Sequence, residues 1–345
     1  MVESASTAQS RAKALRIVFC GTPEFAVPTL AAIAEAGHEV ALVLTQPDRP
    51  SGRGMHLVAS PVKHWSLAHD LLVDQPEKIR NNENLRARLE AIAPDAIIVV
   101  AYGRIIPPWM LGLPPLGNIN LHGSLLPKYR GAAPIQWAVA RGEQRTGVTT
   151  MLLEEGLDTG PTLEHAELPI APDATAAELF PQLAELGAPL LLSTLAALAA
   201  GTLMPQPQNH AEATYAPILT REDGRIDFTR SAQEIYNRWR GFQPWPGAWS
   251  TLNGKKFTIA RMAPFPSAAT IPLIDVPEQF MPAREGRALQ TQEPGTLLLQ
   301  GSKLLATCGH RTAVELLEVQ LEGKRSTPAA DFLRGHPHMA GANLG

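Results

Sequence analysis

The chain has 345 residues, 45% apolar and 18% charged, the balance of a globular protein rather than a disordered one; at about 150 residues per domain it predicts two domains. Two cysteines, Cys20 and Cys308, are too few for a disulfide framework, and no Cys/His spacing resembles a zinc site. The net charge of −3 argues at first against nucleic acid, but residues 1–205 hold 15 basic against 20 acidic residues and 206–345 hold 15 against 13, which permits an RNA contact in the C-terminal part.

The first fifteen residues are polar and lack the apolar core of a secretory signal, and no uncharged apolar run reaches the roughly eighteen residues of a membrane span, so a cytoplasmic protein is expected. Strand-like RIVFC (16–20) ends in a Gly-Thr-Pro turn and is followed by a helix reaching Gly37. EVALVL (39–44) is a second strand. Ser60-Pro61 reads as an N-cap and first helical residue, opening a helix to about His69. A brief strand near 71–74, a charged helix near 82–93 and DAIIVV (95–100) follow. NINLH (118–122) and GVTTMLL (147–153) continue the series, with a helix from Pro134 to Arg141 between them, and an Ala/Leu helix from 174 to 200 closes it. Buried strands alternating with helices predict an α/β fold with a doubly wound, mostly parallel sheet over residues 1–205. Residues 206–224 read as a linker. Beyond it, one helix (231–240) and short runs at 255–262, 296–300, 303–309 and 313–321 predict a small OB-like β-barrel over 225–335. The stretch 264–294, with six prolines, reads as an excursion between barrel strands.

The usual nucleotide signals are missing: no G-x-G-x-x-G follows the first strand, and no P-loop occurs anywhere. The informative segment is Asn118-Ile119-Asn120-Leu121-His122-Gly123-Ser124. In a strand Asn120 and His122 point the same way, at the carboxyl edge where open α/β sheets bind ligands. Buried without partners, such groups cost roughly 1–3 kcal/mol each, so they need partners or a ligand. Asp158, in Gly156-Leu157-Asp158-Thr159-Gly160, stands in a loop able to turn a carboxylate toward the neighbouring strand. An amide, an imidazole and a carboxylate that orients it make an acid/base site, and no Ser or Cys stands in an elbow context. Spacing alone leads to acyl or one-carbon transfer without a covalent intermediate. A structural pair at N-x-H and an ordinary turn aspartate are the alternatives.

The run from Asn120 through Leu126-Pro127-Lys128-Tyr129-Arg130-Gly131-Ala132-Ala133-Pro134 to Ile135, with Gly147-Val148-Thr149 and Gly156–Gly160, closely resembles the folate-dependent formyltransferase family. Gly21-Thr22-Pro23-Glu24-Phe25-Ala26, Val99–Gly103, Glu222–Phe228, Arg240–Ala248 and Gly323-Lys324-Arg325 are similar to its tRNA-directed members, and the likeness runs from about Leu15 to Gly335. The resemblance implies 10-formyltetrahydrofolate as donor, the α-amino group of methionine on initiator methionyl-tRNA as acceptor, and no metal. It makes Asn120, His122 and Asp158 the catalytic residues: Asn120 and protonated His122 donate to the developing oxyanion, while Asp158 orients His122 and helps relay the proton. Ser124, Leu125, Leu126 and Pro127, with Ala101, Tyr102 and Gly103, would line the folate site.

Contacts to tRNA are expected from Arg53, at the tip of the long loop 46–60, and on the barrel from Arg240, Lys255 and Lys256, with Arg238 and Arg261 added by charge and position. Three places depart from the family, one of them the proline-rich stretch 264–294, which is longer than the resemblance implies. Met55 and His56 follow Gly52-Arg53-Gly54 where relatives often have lysines, and Ile218 precedes Leu219-Thr220 where a lysine is common. A monomer is expected. The rival readings are an amino-sugar-nucleotide formyltransferase, a formyltetrahydrofolate hydrolase and a non-catalytic folate- or RNA-binding module.

Overall fold

The computed structural model describes residues 14–51, 56–265 and 292–345. In chain order its elements are β1 (Arg16–Gly21), α1 (Val27–Glu35), β2 (Glu39–Leu44), β3 (Arg49–Ser51), β4 (His56–Val58), α2 (Pro61–Ala68), β5 (Val73–Asp74), α3 (Glu83–Ile92), β6 (Ala96–Val100), α4 (Pro108–Leu111), β7 (Asn118–His122), α5 (Pro134–Ala140), β8 (Arg145–Leu152), β9 (Thr162–Pro169) and α6 (Ala176–Ala199). There follow α7 (Ala232–Gly241), β10 (Trp249–Leu252), β11 (Lys255–Phe265), β12 (Leu297–Gln300), β13 (Lys303–Cys308), β14 (Thr312–Leu321), β15 (Thr327–Pro328) and α8 (Ala329–Gly335). The chain forms two compact units. One comprises the residues up to Gly131 with Arg145–Leu168 and Phe180–Ala216; the other comprises Ala132–Gln144, Pro169–Leu179 and Pro217–Gly345. Contacts therefore group the chain differently from a single division near residue 205.

The first unit is built on a seven-stranded sheet of order β5-β2-β1-β6-β7-β8-β9. β1 pairs in parallel with β2 and β6, β2 with β5, and β6 with β7, whereas β8 runs antiparallel to β7. β6 and β7 are buried at every position, and β1 at all but its first, which explains their near-continuous apolar runs. The chain begins mid-sheet, winds outward to β5, and returns to lay β6 against the other side of β1. The carboxyl ends of β1 and β6 thus meet at the switch point of the winding, where sheets of this kind bind ligands.

Ser60 caps α2 as its sequence predicts: its hydroxyl accepts from the Lys63 N–H at 3.1 Å, and Pro61 fills the first helical position. The long loop before it contains the antiparallel pair β3–β4. Residues 52–55, Arg53 among them, and residues 266–291 of the proline-rich stretch lie outside the described residues.

Helix α6 is long and apolar enough to cross a membrane by length and composition, with a mean hydropathy of 1.4 over its best window. The sequence hides this because Glu178 and Glu185 interrupt the apolar run. Its Leu183, Ala184, Leu191 and Leu195 are buried, Gly187 sits against Leu121 of β7, and the Thr194 hydroxyl donates to Glu164 of β9 at 2.7 Å. These contacts make it a sheet-covering helix. The supposed linker is also tied down. Gln206 and Thr162 exchange backbone bonds at 2.8 Å, Arg130 N–H donates to Thr214 O, and Ala216 N–H donates to Arg130 O, because an extended segment satisfies its backbone by lying along another.

In the second unit a six-stranded antiparallel sheet of order β10-β11-β14-β13-β12, with β15 on β14, forms the OB-like part. Register shifts around Arg261 bend β11. Phe257, Ile259, Leu304, Val314, Leu316 and Phe332 fill its core. Among the described residues β12 and β10 do not pair. The last residues of the chain bridge instead, Asn343 to Thr296 and Leu344 to Leu252.

Candidate active site

Asn120 and His122 are 9% and 6% exposed at the carboxyl end of β7. His122 Nε2 lies 2.9 Å from the Tyr129 carbonyl oxygen, which can only accept, so Nε2 carries a proton. The other ring nitrogen, Nδ1, faces Asp158 Oδ2 at 3.7 Å. That same oxygen accepts the Gly131 N–H at 2.8 Å. Asp158 reaches this position from a left-handed backbone (φ 50°), which an aspartate tolerates better than most residues. Two residues on, a Cβ on Gly160 would stand 1.9 Å from the Leu152 carbonyl oxygen, so only glycine lets the loop pass so close to β8. Among the described residues the Asn120 amide has no hydrogen-bond partner. The arrangement is a buried amide free to donate, beside a histidine whose one free nitrogen faces a carboxylate.

Ser124 is fully buried, and its hydroxyl donates to Lys128 O at 2.6 Å while its carbonyl accepts from Thr149 Oγ1 at 2.7 Å. These bonds fold the connection after β7. Leu125, Leu126 and Pro127, which follow Ser124, remain half-buried. At the end of β6, Ala101 (φ 46°) and Gly103 (φ 74°) turn the chain sharply. The Tyr102 carbonyl accepts from Thr22 Oγ1 and Gln46 Nε2, and the Gly103 carbonyl from Gln46 Nε2, so these oxygens are already engaged by the protein. The Tyr102 ring is 1% exposed in the core beside Cys20, and burial pushes its phenol above the ordinary range. Any contact of this turn with a ligand is therefore left to backbone groups, as expected for Ala101, Tyr102 and Gly103. Burial also pushes the Cys20 thiol, near the end of β1, far above its usual range, which makes it a poor nucleophile.

The cations expected to meet tRNA divide sharply. Arg240 is 3% exposed; its Nη1 donates to Ala174 O at 2.7 Å and its Nη2 to Asn237 Oδ1 at 2.7 Å, and desolvation holds the guanidinium below its ordinary pKa. A group so enclosed cannot reach a phosphate, and Arg240 is a structural residue. Arg238 is half-buried over the Trp137 and Phe242 rings. Lys255 and Arg261 are exposed and Lys256 is half-buried. The sequence did not reveal a cluster around Trp249: Arg221, Arg225 and Lys256 stand 5.9, 5.9 and 5.4 Å from its ring. None of the three makes an ion pair among the described residues. Lys256 and Trp249 lie diagonally across the β10–β11 pair, a relation visible only once the register is known.

A doubly wound sheet with a buried histidine–aspartate pair at its carboxyl edge, followed by an OB-like unit, is the arrangement of a formyl-group transferase. Residues 15–195 match the formyl transferase family and residues 218–337 the C-terminal domain of formyl transferases; the chain belongs to that family. Within it, the chain is 60% identical to the methionyl-tRNA formyltransferase of Acidobacterium capsulatum over 96% of its own length and all of that protein. It is 59% identical to the enzyme of the same name from Koribacter versatilis, over 95% of this chain and 98% of that one. Among solved structures, HypX from Aquifex aeolicus in complex with tetrahydrofolic acid shares the fold with a TM-score of 0.57 at 19% identity. That match covers 93% of this chain, which spans about half, 47%, of HypX.

Proposed function

We propose that this chain transfers the formyl group of 10-formyltetrahydrofolate to the α-amino group of methionine on initiator methionyl-tRNA, acting as a monomer in the cytoplasm. The observation that carries the mechanism is the Asn120 amide, without a hydrogen-bond partner among the described residues, beside the His122–Asp158 pair. The residues suit the folate: a ring system needs apolar surface with few polar groups, and the half-buried Leu125, Leu126 and Pro127 on the connection after β7 supply it. The folate brings an activated formyl carbon open to attack by an amine.

Asn120 donates to the formyl oxygen as negative charge builds on it. His122 acts through Nδ1 alone, since the Tyr129 carbonyl holds Nε2–H. Asp158 faces that nitrogen and is the local acceptor for the proton that the attacking amine gives up, which passes to N10 of the folate as the C–N10 bond breaks and tetrahydrofolate leaves. Fixed in place by the Gly131 N–H, the carboxylate needs little rearrangement as charge moves. We assign tRNA backbone contact to Arg221, Arg225 and Lys256 around Trp249, with Lys255 beside them and Arg53 from the loop before α2.

The test is formyl transfer to charged initiator methionyl-tRNA, to uncharged tRNA and to a UDP-amino sugar, with Asn120→Ala, His122→Ala and Asp158→Asn alongside. Product on the charged tRNA alone is expected, with kcat lowered about a hundred- to a thousandfold in Asn120→Ala. Formyl appearing on the sugar, or formate released without tRNA, would overturn the acceptor; wild-type rates in all three variants would overturn the site.

A further inference from the structure

Asp158 is held at a second point, by two buried side chains so far unassigned. Gln208, 8% exposed, donates from Nε2 to the carbonyl oxygens of Asp158 at 2.9 Å and Gly160 at 2.7 Å. Its Oε1 accepts from Arg130 Nε at 3.1 Å and Nη2 at 2.7 Å. Arg130 is 2% exposed, and its remaining contact is Nη1 to His210 Nδ1 at 3.2 Å. Among the described residues no carboxylate pairs with this guanidinium.

A buried arginine normally takes a carboxylate, and a glutamate at 208 would supply one with the same reach. A carboxylate only accepts, however. It would lose both bonds to the Asp158 loop and set charged oxygens against two carbonyl oxygens. The amide alone can face a guanidinium with one end and two carbonyls with the other. Arg130 in turn fixes which end is which, because every polar hydrogen it offers is a donor. Gly131, the next residue, puts its N–H on the Asp158 carboxylate, and Tyr129, the residue before, puts its carbonyl on His122. One tripeptide therefore reaches His122, Gln208 and Asp158. A Cβ on Gly131 (φ 120°) would meet the Ala216 carbonyl oxygen at 2.6 Å, so only glycine lets the tripeptide run this close to residue 216.

We infer that Arg130 and Gln208 are positioning residues that set the His122–Asp158 separation, with Gln208 kept as an amide for its donors; this rests on the reading of Asp158 given above. Gln208→Glu keeps an acceptor for Arg130 and removes the donors. The variant is compared with wild type in the formyl transfer assay, with both substrates varied, and its native circular dichroism and melting temperature are recorded. The expected result is kcat lowered about ten- to a hundredfold, KM for both substrates within about twofold of wild type, and a native spectrum.

Arg130→Lys, which can still donate to Oε1, is expected to hold kcat within about threefold, whereas Arg130→Met, which frees the amide to turn over, is expected to resemble Gln208→Glu. If Gln208→Glu does not fold, this arginine pair decides the matter. Unchanged kcat in Gln208→Glu or in Arg130→Met, or a loss that comes entirely through KM, would overturn the inference while leaving Asp158 in place. Asp158→Asn, run beside them, separates the two failures: full activity there removes the reading of Asp158 and this inference with it.

Discussion

Arg240 and Arg221 carry the same group into opposite environments. Arg240 is closed in by Ala171, Ala174 and Asn237, whose oxygens take up its N–H groups. Arg221, Arg225 and Lys256 keep their charges near the surface, gathered on one indole. Counterion release makes the two cases separable by salt. Changing Arg221, Arg225 or Lys256 singly to Gln is expected to weaken tRNA binding at low salt. Each change should also reduce the slope of log affinity against log salt by about one, with little change in melting temperature. Arg240→Gln is expected to leave the slope unchanged and to cost about 1–3 kcal/mol of stability, because the acceptors around it lose their donor. Filter binding between about 50 and 200 mM salt, with thermal melts of the same samples, reads both. An altered slope in Arg240→Gln would return that residue to the RNA surface.

The OB-like sheet depends on a contact that no strand makes. Leu344 is 2% exposed and bridges to Leu252, and Asn343 bridges to Thr296, so the chain's last residues join the two outer strands. Leu344→Ala is expected to cost about 2–4 kcal/mol in urea unfolding, as buried leucines do, whereas a loss under 0.5 kcal/mol would show that the bridge closes nothing. Such non-local pairing leaves no periodic trace, and the sequence reading found none of it. It also missed β9, whose TLEHAELP mixes glutamates with few β-branched residues, and the short β10. What the sequence did reveal were elements with a local cause. Ser60-Pro61 opens α2, and β7 shows Asn120 and His122 because polar side chains alternate there with the apolar Ile119 and Leu121. The side chains of the site were legible for that reason. Their partners Tyr129 O and Gly131 N were not, since every residue offers a carbonyl and nearly every one an N–H. Arg240 was a different kind of miss. It stands four residues after the buried Tyr236 on α7, the spacing of one helix face, so its burial was readable from a pattern that its charge outweighed.

At the scale of the whole chain, the second unit is assembled from three separated pieces, and a cut at residue 205 would divide it. Trp137 of α5 meets the Phe242 ring edge-on at 5.2 Å and donates its indole N–H to Pro217 O at 2.9 Å. A Cβ on Gly241 would come within 2.6 Å of the Gln136 carbonyl oxygen, so α5 and α7 lie backbone to backbone. The Tyr236 hydroxyl donates to Asp173 at 3.0 Å, and the carbonyls that hold Arg240 come from residues 171 and 174. A fragment of residues 206–345 would lose the burial of one large aromatic face, worth roughly 1.5–3 kcal/mol. It would also strand Arg240 with fewer acceptors, at about 1–3 kcal/mol. Set against a typical total of 5–15 kcal/mol for a domain, these losses leave little margin. The fragment is expected to unfold at clearly lower urea than the intact chain, followed by the fluorescence of its tryptophans. Joining residues 132–179 to its N-terminus through a flexible linker is expected to recover part of the difference. A fragment as stable as the intact chain would mean that α5 and residues 169–179 lie against the second unit without supporting it, and the boundary near 205 would then describe the protein better than its contacts do.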